Sequence, residues 1–285
     1  MSLRVLKVPG TVSLRRASCG RDNLEHCCRV WLFSLLLTLL HTNDFHNHFT
    51  LAQSERLRKM KSEVEGDVLL VDAGDAVRCG NITYHPNGEP IFDLMNAAGY
   101  DALTVGNREF HVTETGFRTT LNRAKFPILC ANIAAHQPFW GNRRAELPCQ
   151  PFALFTLQEW TVAVIGLTVP MVTPTMAVRK LSSFVFAPII ETARAQIRAI
   201  RAISSPDLIV ALTHIGYTQD RKLAESVPEI DLIIGGHSHS TLETGEQVGK
   251  TLIVQTGCYG KNVGRVVVTR NAEGSLEMKA GLEPL

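Results

Sequence analysis

From residue 35 onward, short apolar runs alternate with longer amphipathic stretches. Leu35–Leu40, Val68–Val71, Ala102–Val105, Pro127–Cys130, Leu208–Leu212 and Leu232–Ile234 are too short, and too rich in leucine or β-branched residues, for independent helices, so each predicts a strand. Between them, residues 188–204 predict a helix: Ile189, Ala193, Ile197, Ile200 and Ile203 recur at steps of three and four, with Arg194, Arg198 and Arg201 on the other side. Ser54–Val64, Gly116–Ala124 and Ile91–Ala98, stopped by Gly99, predict three more. Two apolar runs around Gln158 and Glu159 predict a hairpin, which makes the sheet mixed, and Thr251–Gln255 with Arg265–Thr269 predict a closing strand pair. Strands alternating with helices specify an α/β sandwich, and no repeat or low-complexity linker divides it.

The first 29 residues stand outside this rhythm and read as a poorly ordered extension. Arg4, Lys7, Arg15, Arg16 and Arg21 precede the first acid, Asp22, and the apolar run Val30–Leu40 follows. That run is shorter than the roughly 20 residues a membrane span requires, and no small-residue cleavage site follows it. It is read as a buried strand because it leads straight into the first polar motif. Composition narrows the function. With 285 residues, 45% hydrophobic and 20% charged, the chain buries a sizeable core, which excludes disorder and fibrous repeats. Lys and Arg total 29 against 27 Asp and Glu, with no long basic block, so nucleic acid is not an expected partner. Seven scattered cysteines without a CxxC pair oppose a disulfide framework and favour a reducing, cytoplasmic setting; export would follow if the N-terminal run were a signal. Oligomeric state leaves no trace in the pattern.

Chemistry collects where the strands end. The first strand runs into H-T-N-D-F-H-N-H, the second into D-A-G-D, the third into G-N-R-E-F-H, a later one into T-H, and the next into G-G-H-S-H. Singly these are ordinary, since a histidine at a strand end is usually a surface group and Asp75 after a glycine suits a turn or cap. In an open α/β sheet, however, loops leaving the carboxyl ends of the strands share one rim, so five motifs placed this way converge. Asp, His and Asn donors without cysteine predict a site for Zn²⁺, Mn²⁺ or Fe rather than a thiolate structural zinc.

In this order the motifs resemble those of the calcineurin-like metallophosphoesterases, most closely the catalytic domain of bacterial 5'-nucleotidases. The family pattern D-x-H, G-D, G-N-H-[DE], a lone His and G-H-x-H is met by Asp44 and His46, Asp75, Asn107 to Glu109, His214, and His237 with His239. Residues 257–265, G-C-Y-G-K-N-V-G-R, are similar to the nucleotidase version. The resemblance implies a four-layer α/β-β/α sandwich with two mixed sheets over residues 30–285, lacking the C-terminal domain that grips the nucleobase. It implies two divalent cations (Mn, Zn, Fe or Co), with Asp44, His46 and His239 on one, Asn107, His214 and His237 on the other, and Asp75 bridging. Paired cations activate a bridging water and offset charge in an in-line displacement at phosphorus. Asp72 and Glu109 would orient the ligands, and the substrate would be a small phosphorylated molecule, expected to be a nucleotide.

One position departs from that pattern, because Arg108 stands where the resemblance implies a histidine that contacts the phosphoryl oxygen or protonates the leaving group. Arginine cannot donate a proton near neutral pH, yet its planar fork can clamp phosphate oxygens. The expected catalytic set is therefore Arg108, Asp75 and Asn107, with His111 as the substitute proton donor. The alternatives are a weakened metal- and nucleotide-binding module, or a phosphodiesterase acting on esters with good leaving groups. Asn132 is either a substrate contact or a left-handed turn residue, and Tyr84, His85, Phe139 and Trp140 sit in loops within reach of the rim.

Overall fold

The computed structural model describes residues 36–80, 82–138, 145–271 and 273–285. The N-terminal extension, Phe139 and Trp140 therefore lie outside the described residues. The strands in chain order are β1 (Leu37–Thr42), β2 (Asp67–Asp72), β3 (Ala102–Thr104), β4 (Ile128–Leu129), β5 (Ile133–Ala135), β6 (Phe152–Thr156) and β7 (Thr161–Thr168). They continue with β8 (Phe184–Phe186), β9 (Leu208–His214), β10 (Leu232–Ile234), β11 (Glu246–Val248), β12 (Thr251–Val254), β13 (Asn262–Arg270) and β14 (Leu276–Pro284). The helices are α1 (Leu51–Glu63), α2 (Ile91–Ala98), α3 (Glu114–Leu121), α4 (Ile189–Ile203) and α5 (Tyr217–Ser226).

Two six-stranded mixed sheets result, ordered β14-β13-β1-β2-β3-β4 and β11-β12-β10-β9-β7-β6. In the first, β1 to β4 run parallel and β13 returns antiparallel on β1; in the second, β7, β9, β10 and β12 run parallel between antiparallel edges. Side chains of a strand point alternately to opposite faces, and this sequence fills both faces with apolar groups. Leu37 and Leu39 of β1 meet Val210 and Leu212 of β9 in a core between the sheets. On the far side of the first sheet, Leu40 and Leu70 pack with Leu57 of α1, Phe92 of α2 and Phe117 of α3. On the far side of the second, Ile209 and Ala211 pack with Ile197 of α4 and Leu223 of α5. The layers are thus helix, sheet, sheet, helix, with the parallel strands of both sheets ending at one rim.

The predicted hairpin is β6 and β7. The expected closing pair is not one: β12 joins β10 and β11 in the second sheet, whereas β13 joins β1 and β14 in the first. Helix α1 starts three residues earlier than its apolar period, because Thr50 and Gln53 form a reciprocal capping box. Among the described residues, no helix is long and apolar enough to cross a membrane.

Candidate metal centre

The site is assembled by backbone before any donor is considered. The loops leaving β1 and β2 are zipped together, with Asp44 N–H on the Gly74 carbonyl at 2.9 Å, His46 N–H on Asp75 at 2.9 Å and Asn47 N–H on Ala76 at 2.8 Å. Gly74 takes a left-handed φ of 88°, and a Cβ there would stand 2.7 Å from the Gly106 nitrogen, so a side chain would push the β2 and β3 loops apart. Buried Glu109 then locks them, accepting the N–H groups of Asp75 (2.9 Å), Val77 (3.1 Å) and Gly106 (2.8 Å). The second sheet is tied in through Asp44, whose Oδ2 accepts His237 N–H at 2.9 Å and the Asn43 amide at 2.7 Å. Five of the seven candidate ligands, Asp44, His46, Asp75, His237 and His239, hold left-handed backbone conformations that side chains rarely adopt. Such strain persists only where the surrounding contacts over-determine it.

Two donor groups result. His46 Nε2 and His239 Nε2 stand 3.1 Å apart, at 3.6 and 3.2 Å from Asp44 Oδ1. His214 Nε2 stands 3.4 Å from Asp75 Oδ1, and donor atoms of Asp44, Asp75 and His214 all lie within 4.8 Å of one another. Asn107 Oδ1 extends this second group, at 3.3 Å from His214 Nε2 and 3.0 Å from His237 Nδ1. The carboxylate common to both groups is Asp44, while Asp75 Oδ1 also accepts the Arg108 N–H at 2.7 Å. Asp44 Oδ1 is fully buried without a hydrogen-bond partner. A naked buried carboxylate oxygen facing two imidazoles fits a cation as the missing partner. The donor set of carboxylate oxygens, an amide oxygen and imidazole nitrogens suits divalent transition ions.

The electrostatics of His46 and His237 agree with that fit. Burial is the largest influence on His46 and His237 and holds both below the ordinary imidazole value, which leaves neutral rings with a lone pair to offer. Burial also opposes charge on His214, but the Asp75 and Asp44 carboxylates outweigh it and raise this ring to about 9. Its Nδ1 lies 2.7 Å from the Ala73 carbonyl oxygen, which fixes that proton and turns Nε2 towards the donors. Burial, then the Asp75 charge, pushes Glu109 up to about 7 against its three N–H donors.

Above the donors opens a cavity of about 410 Å³ lined by His46, Asp75, Asn107, Arg108, His237 and His239, together with His48, Arg78 and Tyr259. His111 does not line it. That ring is buried, its Nδ1 accepts the Thr113 N–H at 3.0 Å, and Tyr84 packs on it edge-on at 5.1 Å. His85 and Asn132 are not on the lining either. Asn132 is buried and clamps Thr168, with its amide on the Thr168 carbonyl at 2.8 Å and its Oδ1 on the Thr168 N–H at 3.0 Å, and its φ is not left-handed. Asp72 lies beneath the β2 loop, accepting Thr42 Oγ1 at 2.6 Å and Gly74 N–H at 2.9 Å, so it shapes the turn rather than touching a ligand. Sequence reasoning missed Arg78, which carries no periodic pattern. Tyr259, 4.9 Å from His48 and 5.6 Å from His46 between ring centres, was visible only as a letter in residues 257–265.

A family model described as calcineurin-like phosphoesterase matches residues 37–241. The chain belongs to that family. The chain is 34% identical over 274 residues to the trifunctional nucleotide phosphoesterase protein YfkN of Bacillus subtilis, a match covering 85% of this chain and 18% of that protein. It is 33% identical over 272 residues to the silent protein UshA(0) of Salmonella typhimurium, covering 80% of this chain and 48% of that one. Among solved structures, a 5'-nucleotidase precursor of Thermus thermophilus superposes with a TM-score of 0.71 at 26% identity, covering 88% of this chain and 54% of that one. The chain spans about half or less of the length of these relatives.

Proposed function

We propose that this chain is a phosphoester hydrolase using two divalent cations, one held by Asp44, His46 and His239 and the other by Asp75, Asn107, His214 and His237, with Asp44 the carboxylate common to the two donor groups. The observation that carries the reading is the buried, unpartnered Asp44 Oδ1 at the junction of two converging donor groups. Bound there, a cation pair supplies an activated water and an electrostatic counterweight to the charge that develops on a phosphoryl group. The chain's own residues do the rest. Arg108, on the cavity lining, takes phosphate oxygens in its fork and holds them for in-line attack. Glu109 keeps the Asp75 and Gly106 loops in register, so that Asp75 and Asn107 face the same point. His48 and Tyr259 border the entrance and shape what can approach.

The names of the relatives, a nucleotide phosphoesterase and a 5'-nucleotidase, support nucleotides as the substrate class. Residues 30–285 would form the phosphoesterase unit, and free Cys79, Cys130, Cys149 and Cys258 suit a reducing compartment. A second reading, a binding module with little turnover, draws on Arg108, which cannot donate a proton. Purified protein assayed on an aryl phosphate separates the two. Hydrolysis that requires added Mn²⁺ or Zn²⁺, stops with chelator and falls at least about 10²-fold in Asp75→Asn supports the enzyme. Metal uptake without hydrolysis supports the module.

A further inference from the structure

Two of the free thiols among the described residues, Cys130 and Cys149, are brought together at the β4 edge of the first sheet. Cys130 follows β4 directly, and the segment after Pro148 runs beside it. The Cys130 N–H donates to the Gln150 carbonyl at 2.8 Å and the Gln150 N–H to the Ile128 carbonyl at 2.9 Å, which makes Leu129 and Gln150 parallel bridge partners. Side chains alternate along a strand, so Cys130 and Cys149, one step either side of that bridge, share the opposite face. Both pack on the core beneath the helices, whereas Leu129 packs between the sheets. The two thiols lie within hydrogen-bonding reach of each other.

The two sulfurs differ in access. Cys130 is buried, its Sγ donates to Asn132 Oδ1 at 3.7 Å, and Asn132 is itself clamped on Thr168, so this sulfur is held in place. Burial, then the neighbouring Cys149, pushes the Cys130 thiol up, which keeps its proton on and prevents it from starting an exchange. Cys149 is only half-buried and lines a cavity of about 470 Å³ with Ile128, Leu147 and Pro148. That cavity shares no residue with the one above the metal donors. We infer that Cys149 and Cys130 form a thiol–disulfide exchange site, Cys149 taking a low-molecular-weight disulfide such as oxidised glutathione and Cys130 resolving the adduct. Cys149 gives its proton to solvent, and its thiolate attacks one sulfur of the small disulfide. That S–S bond breaks, and the departing thiolate takes the electron pair and a proton from solvent. The Cys130 sulfur then attacks Cys149 Sγ, and the second small thiol leaves with the Cys130 proton. Two protein thiols are oxidised to one disulfide, and the small disulfide is reduced to two thiols. The N–H groups of Asn132 and Ile133 face the Cys130 sulfur and support the negative charge it gathers during attack. None of this depends on the phosphoesterase reading.

The test treats the purified full chain with oxidised glutathione under native conditions, alkylates the remaining thiols, and maps the peptides by mass spectrometry before and after dithiothreitol. The wild type should yield a cross-link between the peptides that carry Cys130 and Cys149, two hydrogens lighter than their sum and removed by dithiothreitol. Cys130→Ala should stop at a glutathione adduct on Cys149. Cys149→Ala should slow modification of Cys130 at least about tenfold, because burial denies the reagent direct access. The wild-type map and Cys149→Ala decide the matter even where Cys130→Ala fails to fold. A wild type in which Cys149 stays reduced, or carries glutathione without going on to the cross-link, overturns the inference. So does a native map in which other cysteine pairings match this one in yield, or a Cys149→Ala variant whose Cys130 reacts at the wild-type rate.

Discussion

At the scale of single residues, position 108 decides which reactions the site can assist. Its backbone N–H bonds Asp75 while its side chain lies on the cavity lining, so a change of side chain leaves the loop anchored and alters the chemistry alone. Arg108→His should therefore raise the rate on an alkyl phosphate by about 10² relative to that on an aryl phosphate, because only the poor leaving group benefits from a proton donor. Paired steady-state assays read this ratio, and an unchanged ratio removes position 108 from leaving-group chemistry. The seven candidate ligands were legible in sequence because each follows a strand, and strand ends are predictable from apolar runs. Arg78 was not, since its place in the cavity depends on how Gly80 seats one loop on another. His111 misled for the complementary reason: adjacency to a motif says nothing about whether a ring turns into the cavity or, as here, under Thr113.

At the scale of elements, close packing between β1 and β13 brings His41 over Gly264, where a Cβ would lie 2.0 Å from His41 Nε2. Gly264→Ala should destabilise the fold by about 1–3 kcal/mol, and combining it with His41→Ala should recover part of that loss in a double-mutant cycle by denaturant titration. Full additivity would show that the two positions do not share the space. Helix α5 was missed in the sequence because it places a carboxylate, Asp220, in the core, where the apolar period fails. Asp220 accepts the Thr213 hydroxyl at 2.6 Å directly before His214, and burial raises its pKa from 3.8 to about 7. Across that window the folded chain keeps a proton that the unfolded chain releases, so the group's contribution to stability falls as pH rises from 3.8 to about 7. Asp220→Asn should gain stability relative to wild type over the same interval in denaturant midpoints, and a flat difference would show that Asp220 is charged when folded. Strand β14 was missed although Leu276, Met278, Ala280 and Leu282 alternate with Glu277, Lys279, Gly281 and Glu283, and Leu276, Met278 and Ala280 pack on the inter-sheet core from the sheet edge.

At the scale of the whole molecule, the α/β class and mixed sheets follow from strand-helix alternation, whereas the division into two sheets does not. β12 and β13 are consecutive in sequence yet enter different sheets, a choice made by the inter-sheet core rather than by local pattern. That division matters because it brings His214, His237 and His239 from one sheet against Asp44, His46, Asp75 and Asn107 from the other. As proposed above, these seven side chains together hold a pair of cations. Cation content measured by elemental analysis after metal-free protein is reloaded with Mn²⁺ or Zn²⁺ and desalted tests it most directly. Two ions per chain, with at least one lost in His214→Ala, is the predicted result; a wild-type protein that retains none would contradict the account.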